Sequence, residues 1–412
     1  MPAGYLASKL GGARVLTAGV ALWSLGTLLG PPAAAVALPV LCASRLLVGL
    51  GEGVAPSAAT ALLVQFVPQT ERARAVSLVW GGLDLGSVVG LLIAPVLIAL
   101  AGWQSVFYVF AAMGFAWCLA WPAAQPHASA AVALPRPGPT VAQAAAAEAA
   151  AWIAAWRLRS GVAATPAAAR QKQPGPPWSK FLASPAVWAV VVTHFCFNYG
   201  YYTLLAWLPS YFEGALNMDL GLSSAFSLLP YVAMVAMTPV VGPVADALVT
   251  AGRSVTFVRK LAQGIAFVGP AACMLALALL TPSSPAGTGP AAALAGWVPS
   301  ALLGSSTPPP VPLVVGLMSV AFALSAWSRA GLYCNHQDLS PKYASLLLGV
   351  SNTAGALPGV LGVWAAGVLL DATQSWSLAL FLPTAVAQLV GALVFTLAGS
   401  GENQGWDDHE EA

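Results

Sequence analysis

Long apolar runs joined by short connections dominate this chain, and they leave few folds open to it. Only 7% of its 412 residues are charged and 58% are hydrophobic, whereas a soluble globular domain is about a quarter charged. A helix needs roughly 17 to 25 apolar residues to cross the hydrocarbon core of a bilayer. Ten runs of this kind are read at 15–31, 40–66, 76–100, 104–121, 186–212, 224–245, 261–281, 312–334, 345–370 and 377–398. Lipid offers the backbone no hydrogen-bond partners, so runs of this length must close their bonds within helices. The expected fold class is an all-α polytopic membrane protein.

The basic residues fix the expected orientation. Lys9, Arg14, Arg72, Arg74, Arg136, Arg157, Arg159, Arg170, Lys172, Lys180, Arg253, Arg259, Lys260 and Lys342 fall in connections on one side of these spans. Connections on the other side hold no Lys or Arg. Such asymmetry marks the cytoplasm-like face and places both termini there. Arg45 and Arg329 are the two basic residues left inside spans.

Four spans in residues 1–121 form an N-terminal part, and six in 186–398 form a C-terminal part. Between them, 122–185 is a Pro/Ala-rich inside-facing loop with six of the sixteen basic residues. Its stretch 141–160 reads as a surface helix or a tether. Segment 282–310 is Pro/Gly/Ser-rich and reads as an external loop, and 399–412 is an acidic tail. Gly4 to Arg14 and Gly242, Asp246 to Arg253 repeat one pattern between two spans, and both are expected to act in gating. Two related halves joined by a long inside loop is a transporter layout.

Charges inside a span are expensive and by default functional. Arg45 and Glu52 lie two helical turns apart and share a face. They are candidates for anion binding and for a protonatable coupling carboxylate, against a static ion pair. Asp84 is a cavity acid or pairs with a base. His194 and Asn198, four apart, share a face that Tyr201 and Tyr202 continue, a strip of donors suited to an oxyanion. Arg329 adds positive potential to a cavity or snorkels toward the surface. His336 and Asp338 read as gating residues, and Asn352 as a substrate contact or a helix bridge. Five cysteines lie in apolar runs without ligand spacing, and the four histidines are scattered. Neither set forms a catalytic or metal constellation. No enzyme, cofactor or nucleic-acid partner is expected.

Motifs sharpen this reading. Arg45-x-x-x-Gly49-x-Gly51-x-Gly53 and the two Gly…Arg loops resemble those of the major facilitator superfamily. Gly-Glu-Gly-Val-Ala-Pro-Ser (51–57), Pro-Gln-Thr-Glu-Arg-Ala-Arg-Ala (68–75) and Gly-Trp-Gln-Ser-Val-Phe-Tyr (102–108) resemble its anion:cation symporters, in particular the plastid phosphate or anion branch. So do Gly-Leu-Tyr-Cys-Asn-His-Gln-Asp-Leu-Ser-Pro-Lys-Tyr-Ala-Ser (331–345) and Gly-Val-Ser-Asn-Thr-Ala-Gly-Ala-Leu-Pro-Gly (349–359). The resemblance implies twelve helices with the first two missing from this sequence, as from an incomplete gene model. It also marks Asp84 and Arg329 as departures, since relatives are usually neutral there, and Ser8 as standing where an Asp is usual. The implied activity is secondary transport of phosphate or a small organic anion, coupled to H⁺ or Na⁺. The protein would act by alternating access, as a monomer, in a plastid envelope or thylakoid membrane. A non-transporting membrane scaffold or receptor of the same fold is the alternative.

Overall fold

A computed structural model describes residues 2–124, 176–281 and 309–406. The expected surface helix at 141–160, nearly all of the 282–310 loop and the end of the acidic tail lie outside the described residues. Every regular element among them is helical. In chain order these are α1 (Pro2–Leu10), α2 (Gly12–Leu28), α3 (Gly30–Val36), α4 (Leu38–Glu52), α5 (Ala55–Phe66), α6 (Arg72–Ala101) and α7 (Gln104–Ala124). After the central loop come α8 (Trp178–Ala183), α9 (Pro185–Leu216), α10 (Leu220–Thr250) and α11 (Val255–Leu280). The last are α12 (Val311–Ser325), α13 (Leu332–Leu339), α14 (Ala344–Thr373) and α15 (Leu382–Ala398).

Among the described residues, eight helical stretches are long and apolar enough to cross a membrane, or nine if the bent α2–α3 pair is one span. The ten-span reading also counted α9, which is not among them. That helix has 32 residues, but His194, Asn198 and the tyrosines at 199, 201 and 202 lower its hydropathy.

Three expected spans differ in detail. Residues 40–66 are interrupted between α4 and α5 at Gly53 and Val54, where Pro56 has no N–H to return to the Glu52 carbonyl. Residues 312–334 are interrupted by a 3₁₀ turn, Ala326–Arg329, before α13. The span expected at 261–281 begins at Val255, where Ser254 caps it by accepting the Phe257 N–H at 3.3 Å. Arg259 therefore sits inside α11, fully buried, and not in a connection as its sequence position suggested.

The chain forms two compact units, one of Lys9–Phe66 with Val96–Pro176 and one of Met1–Ser8, Val67–Pro95 and Pro177–Ala412. In the first, α2 packs against α4, α5 and α7. Gly51 of the glycine motif makes this possible: an added Cβ would lie 2.6 Å from the Gly19 carbonyl oxygen and from the Trp23 nitrogen. Gly49 meets nothing within 4 Å, so the close approach is made at one glycine of the motif.

In the second unit, α9 lies along α14 and α15, and α11 along α12 and α15. Gly355, Gly359, Gly362 and Gly367 of α14 face Asn198 and His194, Tyr202, Tyr199 with Thr203, and Trp207 of α9 in turn. Small residues at about one-turn spacing let the backbones approach closely in lipid, where no hydrophobic effect draws helices together.

Candidate functional site

Arg45 and Glu52 occupy the same helix, but no ion pair joins them among the described residues. Seven residues is a rise of about 10 Å, beyond the three- and four-residue spacings at which helical side chains meet. Arg45 turns back instead. Its Nη2 donates to the Gly26 carbonyl at 2.9 Å, its Nε to Ser44 Oγ at 3.3 Å, and its guanidinium lies 5.3 Å from the Phe107 ring centre. Both Arg45 and Glu52 are exposed, Glu52 as the last residue of α4 before the interruption.

The second unit holds a polar seam where α9, α13 and α14 meet. His194 Nδ1 lies 3.0 Å from Ser351 Oγ, and His336 Nε2 lies 2.7 Å from the same oxygen. Ser351 Oγ also donates to the Leu348 carbonyl at 3.2 Å. A hydroxyl has one proton and two lone pairs. Two imidazoles that each donate from the serine-facing nitrogen saturate it. Next along the seam, Asn198 Nδ2 donates to the Gly355 carbonyl at 2.8 Å, a bond made possible by that glycine. His194, His336, Ser351 and Asn198 are all buried, whereas Asn352 is half-buried. Ser351 was not among the residues the sequence singled out. Its one signal was its place in the 349–359 motif, beside the more conspicuous Asn352.

Beside this seam, Asp84 of α6 forms a buried ion pair with Arg329 of the 3₁₀ turn. Of the roles open to each from sequence, Asp84 pairs with a base, and Arg329 meets a carboxylate instead of snorkelling. Tyr333 of α13 packs against Trp80, one turn before Asp84, with ring centres 4.3 Å apart and planes tilted by 34°. Tyr201 and Tyr202 are half-buried and 5.6 Å apart by ring centres. Tyr201 lines a small cavity with Phe197, Met234, Phe267, Phe322 and Gln388. Gln388 Oε1 and the nearby Tyr231 hydroxyl are buried without partners, two polar groups that sequence reasoning missed.

A second buried ion cluster ties α6, α11 and α13. Asp338 receives Arg72 Nη1 at 2.9 Å and Arg259 Nε at 2.6 Å. Arg259 also donates to the Ala330 carbonyl at 3.1 Å. Asp246 accepts the backbone N–H groups of Ala73 and Arg74 at 3.0 and 2.9 Å, capping α6 from another helix. A Cβ on Gly242 would stand 2.5 Å from the Arg74 Cα, so this glycine permits the cap. Gly4 approaches α14 in the same way, a Cβ there standing 2.5 Å from the Ser345 oxygen. Arg253 lies over the Phe257 ring at 6.0 Å, and Arg14 is exposed. No cluster of three or more metal-ligating side chains occurs among the described residues.

Known proteins share both the sequence and the shape. The family profile described as Major Facilitator Superfamily matches residues 1–303. The chain is 40% identical to "Probable anion transporter 6, chloroplastic" of Arabidopsis thaliana over 98% of its own length and 69% of that relative. It is 36% identical to the "Ascorbate transporter, chloroplastic" of the same plant, covering 97% of this chain and 64% of that one. It is also 36% identical to that plant's "Sodium-dependent phosphate transport protein 1, chloroplastic", with 97% and 68% covered. The solved proton:xylose symporter XylE superposes with a TM-score of 0.64 at 14% identity, covering 97% of this chain and 83% of that one. That likeness concerns the fold alone. The chain belongs to the major facilitator superfamily, as an integral membrane transporter related to plastid anion carriers.

Proposed function

We propose that the protein is a secondary active carrier of an anion, inorganic phosphate or a small organic anion such as ascorbate. The observation that carries this reading is the seam of buried polar and cationic side chains inside otherwise apolar helices: His194, Ser351, His336, Asn198 and, beside them, Arg329 with Asp84. Buried ionisable groups in a membrane helix are costly, and substrate or ion pathways are where they are found. Plastid relatives named for phosphate and ascorbate transport support the same class of cargo. Arg45 of α4, in the other unit, is a further candidate for anion binding. Glu52, at the interruption of that helix, is the carboxylate available for coupling to H⁺ or Na⁺. Movement of the two halves that flank the central loop, around a midplane site, gives alternating access.

Proteoliposomes test this directly. Labelled phosphate or ascorbate should accumulate under an imposed proton or sodium gradient and stop when the gradient is collapsed. Uptake of neither anion above protein-free vesicles would overturn the reading.

A further inference from the structure

Two buried ion sites occur among the described residues of the larger unit, and they differ in how many arginines meet the carboxylate. At Asp338 both carboxylate oxygens are engaged by two arginines, and Arg259 also reaches a backbone carbonyl. Arg72 Nε is left without a partner there, but the Asp338 carboxylate itself is met by two guanidinium groups.

Asp84 is met by one guanidinium, that of Arg329. Arg329 Nη2 meets a single oxygen of Asp84. Its Nη1 reaches the Ala326 carbonyl only at 3.3 Å, and its Nε has no partner although the side chain is 4% exposed. Nε–H and the adjacent Nη2–H form one of the prongs-in-parallel edges by which a guanidinium grips a carboxylate or phosphate. Asp84 occupies one prong of that edge and leaves the other empty. A buried donor without an acceptor is unfavourable, and an anion with two oxygens would close the fork.

The surroundings point the same way. Arg329 ends a 3₁₀ turn between α12 and α13, so the helix is interrupted at the charged residue itself. Such mid-helix 3₁₀ segments mark hinges, and interrupted membrane helices line sites rather than lipid. Tyr333, packed against Trp80, stands one turn further along.

We propose that Arg329 is an anion-binding residue and that Asp84 is its resident counter-ion, displaced when a substrate oxyanion takes both prongs. The carboxylate is then a built-in competitor. It holds the guanidinium neutralised while the site is empty and lowers the affinity for the anion. This inference rests on the reading of the chain as an anion carrier and adds to it the group that receives the charge.

Binding and uptake of labelled phosphate and ascorbate by purified, reconstituted protein test it. Asp84→Asn should bind the transported anion more tightly, by roughly the 5- to 100-fold of a typical coupling between sites. Arg329→Gln should abolish binding, and the gain from Asp84→Asn should vanish in the Arg329→Gln background. Arg329→Lys keeps the charge without the fork and should raise the KM at least several-fold with an unchanged thermal midpoint, a readout that stands even if Asp84→Asn does not fold. Unchanged anion affinity in Asp84→Asn or unchanged KM in Arg329→Lys, with wild-type uptake intact, would overturn this inference alone. No uptake by the wild type would overturn the carrier reading and the inference with it.

Discussion

Asp338 and Ser351 each gather side chains that lie far apart along the chain, and each is replaceable in a way that isolates its contribution. Asp338→Asn leaves Arg72 and Arg259 buried with too little negative charge beside them. Breaking a buried ion network by removing one partner costs about 3–5 kcal/mol. The detergent-solubilised variant should show a sharply lowered thermal midpoint or no folded yield, and an unchanged midpoint would mean the arginines find other acceptors. Ser351→Ala strands the facing nitrogens of His194 and His336, at a cost of about 1–3 kcal/mol, again readable as a lowered midpoint. Both effects concern stability and are measured without any substrate. At this scale the sequence was least informative. His194, Asp84 and Arg329 stood out because charge and imidazole are conspicuous in apolar runs. What joins them did not, because Asp84 meets Arg329 across 245 positions and His194 meets Ser351, an inconspicuous residue, across 157. Arg45 was visible for the same reason, yet its acceptor is the backbone carbonyl of Gly26, which carries no mark in the sequence.

Helix ends and close crossings belong to the element scale. Asp246 caps α6 from α10 through two backbone N–H groups. Asp246→Ala should cost about 0.5–2 kcal/mol, as loss of an N-cap does. Hydrogen exchange should rise at Ala73 and Arg74 first, and unchanged protection there would show that the cap is not what holds this helix start. Gly51→Val places a branched side chain where even a Cβ would stand 2.6 Å from the Gly19 oxygen, so α2 and α4 must separate. The helices themselves were legible from run length. Their interruptions were less so, since Pro56 and Gly331 announce a break only once the neighbouring turn is known. The beginning of α11 was misplaced because Arg259 looked like a loop residue, and only its burial against Asp338 shows why a charge is tolerated there.

For the whole molecule, apolar run length and the one-sided placement of Lys and Arg were enough to indicate a polytopic helical membrane protein, and the motifs at 51–57 and 331–359 its family. Hydropathy alone could not settle the number of spans, because the polar face of α9 that makes it interesting also makes it less apolar. Transport is a property of this scale, and Arg45 tests it away from the larger unit. Arg45→Ala should insert and fold as the wild type does while uptake is lost, since the guanidinium removed is exposed and its contacts are the Gly26 carbonyl, Ser44 Oγ and the Phe107 ring. Normal flux in that variant would assign Arg45 to packing between α2 and α4. The most direct measurement of the central claim is gradient-driven uptake by reconstituted wild-type protein. The account predicts accumulation of labelled phosphate or ascorbate above its external concentration, inhibited by excess unlabelled anion and abolished when the proton and sodium gradients are both collapsed. Retention no greater than in protein-free vesicles, for both anions and under both gradients, would contradict it.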